Sequence, residues 1–169
     1  MAQYPMRLFI ASPVLIYNYT QLRQDFSAVL KGRWVEENAL HLTWIFLGDQ
    51  PAAEPWRKKL RHLTALEAPI PLQGLGSFGR PPRVFHLKAH DPLLYKKARE
   101  MKNNGLEPYR FTPHVTLCRI EKIVNWREYK KLLEKYREEI LGEILPEIAL
   151  YESTLCKGGS IYRKIESIV

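Results

Sequence analysis

Several features that mark metalloproteins, secreted proteins and membrane proteins are missing from this chain. Its 169 residues include only two cysteines, Cys118 and Cys156, and no Cys-x-x-Cys or Cys/His spacing, so neither a disulfide framework nor a zinc site is predicted. No uninterrupted apolar run reaches the roughly 18 residues of an ordinary membrane span. The opening segment MAQYPMRLFIASPV lacks a basic stretch followed by a long apolar core, so we expect no signal peptide and a cytoplasmic protein.

Sequence motifs for metal and ATP chemistry are absent as well. No His-Glu-x-x-His motif, carboxylate cluster or aspartate pair accompanies the histidines, which argues against a metal centre. The glycine-rich Walker loop that binds ATP phosphates is also missing. We therefore expect neither a metal nor a cofactor.

The composition is that of a basic globular protein. Hydrophobic residues make up 46% of the chain, enough for one domain over residues 1–169 or two intimately packed lobes. The formal charge is +8, and a basic surface attracts polyanions, so nucleic acid is a reasonable partner. Two basic clusters, 57–61 and 96–102, could extend a polyanion-binding surface, although a solvated helix face is the simpler interpretation.

Apolar spacing and turn residues divide the chain into alternating strands and helices. Strands are expected at 6–12 (ended by Pro13), 41–47, 69–78, 83–89 and 114–120, and in a hairpin over 144–169. Helices are expected at about 14–31 (ended by Gly32), 54–67, 91–103 and 125–140. Because short turns join several strand pairs, the pattern favours an α+β fold with antiparallel or mixed sheets over a doubly wound parallel one.

The most informative motif is a repeated His-x-Thr tripeptide, found at His41–Thr43, His62–Thr64 and His114–Thr116. In a strand, residues i and i+2 point to the same side, so the first and last copies each present an imidazole beside a hydroxyl. The middle copy falls in a helical pattern, where these positions are about 200° apart around the axis, and we interpret it as a coincidence.

Two such strands predict a symmetric cleft holding two titratable bases and two hydrogen-bond donors. These groups could cleave a phosphodiester without a metal. A simpler interpretation is that threonine suits strands and that each histidine is a structural residue of the sheet. The paired strand context favours the cleft, and Thr112-Pro113 also holds the backbone extended before His114.

The segments around the two strands carry a family resemblance over essentially the whole chain. MRLFIAS, HLTWIFLG, FTPHVTLCRI and YESTLCKGGSIYRKI together resemble the 2H phosphoesterase superfamily, and within it the LigT-like RNA 2′,3′-cyclic phosphodiesterases of the 2′-5′ RNA ligase family. The resemblance implies two pseudo-symmetric lobes of antiparallel or mixed sheet, with outer helices, around a central cleft that carries both motifs. Cys118 departs from the usual pattern after the second motif.

The resemblance also implies roles for the motif residues. His41 and His114 match the two catalytic histidines, and Thr43 and Thr116 match the threonines that bind the phosphate. We assign His41 as the proton donor to O3′ and His114 as the proton acceptor, which gives a 2′-phosphate. The reverse polarity stays open because the two motifs are so alike.

Four further residues are candidates for substrate contact. Arg119 matches a basic residue often found after the second motif, but strict alternation puts it on the face opposite His114, so its role requires a bulge or strand end. Phe78, His86 and Tyr109 could border the cleft and stack on a nucleobase, although roles in the core are the simpler interpretation for the aromatic residues.

The leading hypothesis is therefore hydrolysis of RNA 2′,3′-cyclic phosphate ends to 2′-phosphomonoesters, together with a reversible 2′-5′ RNA ligase activity that needs no ATP. A second hypothesis keeps the cleft but changes the substrate to small cyclic nucleotides, ADP-ribose cyclic phosphate or 2′-5′ oligoadenylate. A third is a non-catalytic RNA-binding module whose histidines are structural. In each case we expect a monomer with no obligatory protein partner and no membrane.

Overall fold

Antiparallel strands dominate the fold, which the computed structural model describes for residues 5–169. The strands are β1 (Met6–Ile16), β2 (Leu30–Trp34), β3 (His41–Gln50), β4 (Ile70–Gln73), β5 (Leu75–Phe78), β6 (Val84–Lys88), β7 (His114–Ile123), β8 (Ile140–Ile144), β9 (Ile148–Cys156) and β10 (Gly159–Ile168). The helices are α1 (Tyr19–Ser27), α2 (Glu54–Arg61), α3 (Pro92–Asn103) and α4 (Trp126–Lys135), with a 3₁₀ turn at Glu37–Ala39. The predicted α+β class with antiparallel pairing is confirmed.

The two His-x-Thr strands lie side by side at the centre of the sheet. The main strand order is β10-β9-β1-β3-β7-β6-β5, with β2 pairing the far end of β7. Strands β3 and β7 meet through one residue pair, Leu42 with Val115, the central residues of the two tripeptides. One lobe therefore lies on the β3 side and the other on the β7 side, and the two strands diverge from this shared point.

Strand β1 passes through Pro13 instead of ending there as predicted. Proline has no N–H to give a neighbouring strand, but the Pro13 carbonyl accepts a hydrogen bond of 2.9 Å from the Leu145 N–H. Beyond this point β1 changes partner, pairing with β8 over Val14–Ile16. Pro13 lies where β1 changes its partner strand. The N–H that proline lacks is therefore not missed in a continuous ladder, and the residue costs the sheet little stability.

Gly32 lies inside strand β2 and does not end a helix, which corrects the predicted helix at 14–31. Helix α1 occupies only Tyr19–Ser27, and the chain then pairs with β7. A Cβ atom at Gly32 would overlap the carbonyl oxygen of Arg119. The glycine is therefore explained by the close approach of two strands, a reason that spacing along the sequence does not reveal.

The other helix boundaries also differ from prediction. Helix α2 ends at Arg61 and not near Glu67, so the third His-x-Thr tripeptide begins one residue after the helix, with His62 and Thr64 both exposed. Helix α4 is shorter than predicted because the chain turns into β8. Helix α3 starts as expected, since the Asp91 carboxylate caps it by accepting a hydrogen bond of 2.9 Å from the Leu93 N–H.

The helices cover one face of the sheet and bury its apolar side chains. Phe26 of α1 packs on Phe85 of β6 with ring centroids 4.5 Å apart, and Tyr129 of α4 meets Phe26 edge-on at 6.1 Å. Full burial of such a side chain contributes about 1.5–3 kcal/mol to stability. The residues of β3 and β7 that do not point into this core lie on the opposite face of the sheet, which the helices do not cover. No helix among residues 5–169 is long and apolar enough to cross a membrane.

Candidate active site

The two histidines and two threonines of the tripeptides face one cavity. His41, Thr43, His114 and Thr116 all line a cleft of about 530 Å³, a size suited to a nucleotide. Because β3 and β7 run antiparallel about their shared central pair, each histidine lies across from the threonine of the other strand. We call these four residues the quartet. The sequence prediction that both strands present their polar residues to one cleft agrees with this geometry.

Both histidines are oriented by the same local hydrogen bond. The His41 Nδ1 lies 2.7 Å from the carbonyl oxygen of Ala39, and the His114 Nδ1 lies 2.7 Å from the carbonyl oxygen of Thr112. A carbonyl oxygen only accepts, so each Nδ1 must carry its proton and donate. This contact fixes the tautomer and leaves Nε2 as the nitrogen that exchanges a proton with a substrate.

A matching bulge follows each tripeptide and turns a further residue toward the cleft. On β3, Trp44 has no partner between the pairs formed by Thr43 and Ile45. On β7, Leu117 is skipped in the same way between Thr116 and Cys118. The burial patterns of the two strands are consequently the same over their first nine residues. Each bulge shifts the alternation by one residue, so positions that should face the core face the cleft instead.

The bulge on β7 resolves the uncertainty over Arg119. Arg119 lines the cleft together with His114 and Thr116, although strict alternation would have placed it on the other face. The corresponding residue on β3, five positions after His41, is Phe46, which also lines the cleft with its side chain 79% exposed. The two strands thus offer a guanidinium and an aromatic ring at equivalent positions.

Each quartet histidine contacts two other aromatic rings, and the pair of rings differs between His41 and His114. The His41 ring lies 5.3 Å from Phe9 and 5.3 Å from Tyr162, measured between ring centroids. The His114 ring lies 4.9 Å from Phe78 and 5.5 Å from His86. Phe78 and His86, both candidates from the sequence, therefore contact a quartet histidine from the side and do not line the cavity.

His86 is a buried histidine stacked against an aromatic ring. Its side chain is 5% exposed, its ring stacks on Phe78 at 4.0 Å, and its Nδ1 has no hydrogen-bond partner. Burial is the main cause that lowers the pKa of His86 to about 4, and repulsion from the neighbouring His114 ring, when that ring is protonated, acts in the same direction. Gly76, its partner on β5, leaves room for the ring, since a Cβ there would lie 3.3 Å from His86 Cε1.

The electrostatics of His41 also favour the neutral ring. Burial is the main cause that lowers the pKa of His41, and the charge of His114 acts in the same direction. The hydrogen bond to the Ala39 carbonyl opposes the shift, because it stabilises the protonated ring. The surroundings of His41 in the free cleft therefore favour the neutral ring.

Two residues singled out from the sequence lie away from the cleft. Tyr109 is 81% exposed and pairs with its neighbour, the Arg110 guanidinium carbon lying 5.2 Å from the Tyr109 ring centroid, and it is not among the residues that line the cavity. Cys118 faces the core, and burial raises the pKa of its thiol to about 12. The unusual cysteine therefore takes no part in the cleft.

Several residues that line the cleft escaped the sequence reasoning. They include three aromatic residues, Phe9, Phe46 and Tyr162, together with Arg7. Phe46 could have been found, because it stands five residues after His41 as Arg119 stands five after His114. Tyr162 could not, since only the pairing of β9 and β10 brings it to the site. Within residues 5–169, no group of three or more His, Cys, Asp or Glu side chains could hold a metal ion.

Comparisons with known proteins agree with this geometry. An RNA 2′,3′-cyclic phosphodiesterase of Aquifex aeolicus is 33% identical over 162 residues, covering 86% of each chain. A protein of the same name from Methanocaldococcus jannaschii is 31% identical, covering 95% of this chain and 99% of its own. Among solved structures, E. coli LigT complexed with ATP has a TM-score of 0.71 at 22% identity, covering 96% of both chains, a similarity that establishes the fold.

The family model described as LigT like Phosphoesterase matches residues 16–86, which include the first tripeptide. The second tripeptide falls within the nearly full-length alignment to the Methanocaldococcus jannaschii relative. These matches, together with the paired strands and their cleft, show that the chain belongs to the LigT-like phosphoesterase family.

Proposed function

We propose that this protein hydrolyses the 2′,3′-cyclic phosphate ends of RNA to 2′-phosphomonoesters. The observation that carries the proposal is the quartet: two histidines with fixed tautomers and two threonines, facing one cleft about a local two-fold arrangement. Relatives at 28–33% identity that carry the name RNA 2′,3′-cyclic phosphodiesterase support it.

The two imidazoles supply the proton transfers. Water attacks phosphorus in line with the departing ribose O3′, so one group must take a proton on one side while another gives a proton on the opposite side. His114 Nε2 acts as the base toward water, and His41 Nε2 protonates O3′, leaving the phosphate on O2′. Histidine suits both roles because its unperturbed pKa, about 6.5, is near working pH.

Binding of the substrate should favour the protonated form of His41, which the general acid requires. The free cleft favours the neutral ring, since burial lowers the pKa of His41. A bound cyclic phosphate brings a negative charge beside the ring, and an opposite charge favours the protonated form. His41 would therefore take up its proton as the substrate binds.

Neutral donors and one cation hold the phosphate. The Thr43 and Thr116 hydroxyls donate to the non-bridging oxygens and stabilise the charge that develops there. Arg119, turned into the cleft by the β7 bulge, adds a charge-assisted hydrogen bond, which is about twice as strong as a neutral one. No step requires a metal. An RNA 5′-hydroxyl in place of water would give a 2′-5′ linkage by the same two transfers, without ATP.

The proposal is tested by incubating the purified protein with a nucleoside 2′,3′-cyclic phosphate in EDTA and identifying the product by chromatography. We expect turnover in EDTA with the 2′-phosphate as the sole product. A 3′-phosphate product would overturn the assigned direction of cleavage. RNA binding without any turnover, unchanged in His41→Ala and His114→Ala, would instead identify a non-catalytic binding module.

A further inference from the structure

We propose that a basic ladder on β2 and β7, formed by Lys31, Arg33, Arg119 and Lys122, binds the phosphates of the RNA strand that leads into the cleft. The inference rests on the proposed function and narrows its substrate to an RNA strand, as distinct from a mononucleotide. The ladder begins inside the site at Arg119 and continues outward along the end of β7 that pairs with β2.

The register of β2 and β7 puts the four basic residues on one face. Arg33 is the direct partner of Arg119, and Lys31 is the direct partner of Lys122, so the side chains of each pair lie on the same side. Val35, two residues beyond Arg33 on the same side of the chain, lines the cleft. The ladder face is therefore continuous with the cleft wall, and all four basic side chains are exposed.

Ion pairs within the described part of the chain do not compensate the charge of the ladder. No carboxylate among residues 5–169 forms an ion pair with any of its four members. Like charges placed directly across two strands are destabilising, so these pairs cost stability that a bound polyanion would recover. Counterion release on phosphate binding gives such a surface its affinity for RNA.

The two basic clusters noticed in the sequence behave differently. On α2, Arg57 and Arg61 each form an ion pair with Glu166, at 3.0 and 3.1 Å. On α3, Lys97 is held by Glu100 at 2.7 Å. Ion pairs therefore engage two of the four basic residues in each cluster, and neither cluster lies on β2 or β7. The helix clusters can be recognised in the sequence because their basic residues are close together in the chain. The ladder residues become neighbours only when β2 pairs with β7.

The geometry sets how much RNA the ladder can reach. Residues two apart on a strand are about 7 Å apart, so Lys31 lies roughly that distance beyond Arg33 along β2. A mononucleotide has a single phosphate, which would occupy the quartet beside Arg119. Only a strand extending by further nucleotides places a phosphate at Lys31 and Lys122.

The experiment compares two substrates and two charge-matched variants. Lys31→Gln/Lys122→Gln removes the outer rung of the ladder, and Lys96→Gln/Arg99→Gln removes two exposed basic residues of α3 that form no ion pair among the described residues. Each is assayed with a nucleoside 2′,3′-cyclic phosphate and with a hexanucleotide ending in one. Binding of the hexanucleotide is measured in parallel by fluorescence anisotropy over a range of salt concentrations.

For the ladder variant we expect unchanged kcat/KM on the mononucleotide and a fall of about tenfold on the hexanucleotide at low salt. The slope of log affinity against log salt should become shallower by about 1, since each phosphate contact to a single strand contributes about 0.7. The α3 variant should match the parent on both substrates. Equal losses in the two variants, or no loss in the ladder variant, would overturn the ladder. Parent protein that hydrolyses neither substrate would overturn the proposed function, and the anisotropy slopes would still decide the ladder.

Discussion

The β3 and β7 halves of the cleft are nearly the same in backbone and differ in the side chains around it. Each has a histidine held by a carbonyl two residues before it, a threonine two residues after, and a bulge at the next position. Beyond the bulge, one half carries Phe46 and the other Arg119. Under the proposed function, the shared residues bind the phosphate, which has two non-bridging oxygens, and the differing residues contact the rest of the substrate, which has no such symmetry.

The rings behind the histidines differ in the same way. Phe9 and Tyr162 flank His41, whereas Phe78 and a second histidine, His86, flank His114. Two similar histidines thus acquire different surroundings, and a pair of titratable groups can divide acid and base roles when their environments differ. Four predictions test which properties of the cleft depend on the residues common to both halves and which depend on the residues that differ.

The largest effect should come from removing either quartet histidine. His41→Ala and His114→Ala should each lower kcat/KM by about 10²–10⁴-fold, because each removes one proton transfer, and the parent should have a bell-shaped pH profile. His90→Ala, at an exposed loop position, serves as the matched control and should retain full activity. A variant that keeps parental activity would show that its half of the cleft does not take part in the chemistry.

A substrate with sulfur in place of the leaving O3′ tests which histidine is the general acid. A thiol has a pKa near 8.5, so the thiolate departs without a general acid. We expect this substrate to restore much of the activity of His41→Ala and none of that of His114→Ala, measured as kcat/KM relative to the parent. Rescue of His114→Ala instead would exchange the two roles.

His86 should make the β7 half sensitive to acid. Its pKa is lowered to about 4 in the fold, against 6.5 for a free histidine, so the unfolded chain binds this proton more readily. Stability is therefore lost as pH falls from about 6.5 toward 4, by roughly 2–3 kcal/mol at pH 4.5. Urea unfolding should show a shallower loss over this range for His86→Phe, which keeps the stack on Phe78. His62→Gln, at an exposed position, should behave as the parent, and an unchanged slope in His86→Phe would contradict the prediction.

Substitution of Arg119 or Phe46, the residues that follow the bulges, should change kcat/KM least and in a way that depends on the substrate. Arg119→Gln should reduce kcat/KM by about 10–100-fold on every cyclic phosphate, because a charge-assisted hydrogen bond contributes about 1.5–3 kcal/mol. Phe46→Ala should cost a similar or smaller factor on nucleotides, since stacking on a base contributes about 1–3 kcal/mol. Ribose 2′,3′-cyclic phosphate, which has no base, separates them: the Phe46 variant should match the parent on it. A loss there would mean that Phe46 does not act by stacking.

The elements with strong local signals could be predicted from the sequence. Helix α3, with its Asp91 cap, and the C-terminal hairpin are confirmed because the residues that specify them are neighbours in the chain. The errors at Pro13 and Gly32 share one cause. In each case a residue that usually ends an element is accommodated by a strand distant in sequence. Local spacing contains no information about such partners.

The sequence by itself determined the two His-x-Thr strands, and with them the family and the four quartet residues. That information is local, since alternation along a strand sets a histidine and a threonine on one face. Tertiary structure decided how other groups are brought to them. The bulges that turn Arg119 and Phe46 into the cleft, the rings behind each histidine, and the pairing that lines up Lys31 with Lys122 all arise between strands far apart in the chain. Register between distant strands follows from packing of the whole sheet, which no single segment encodes.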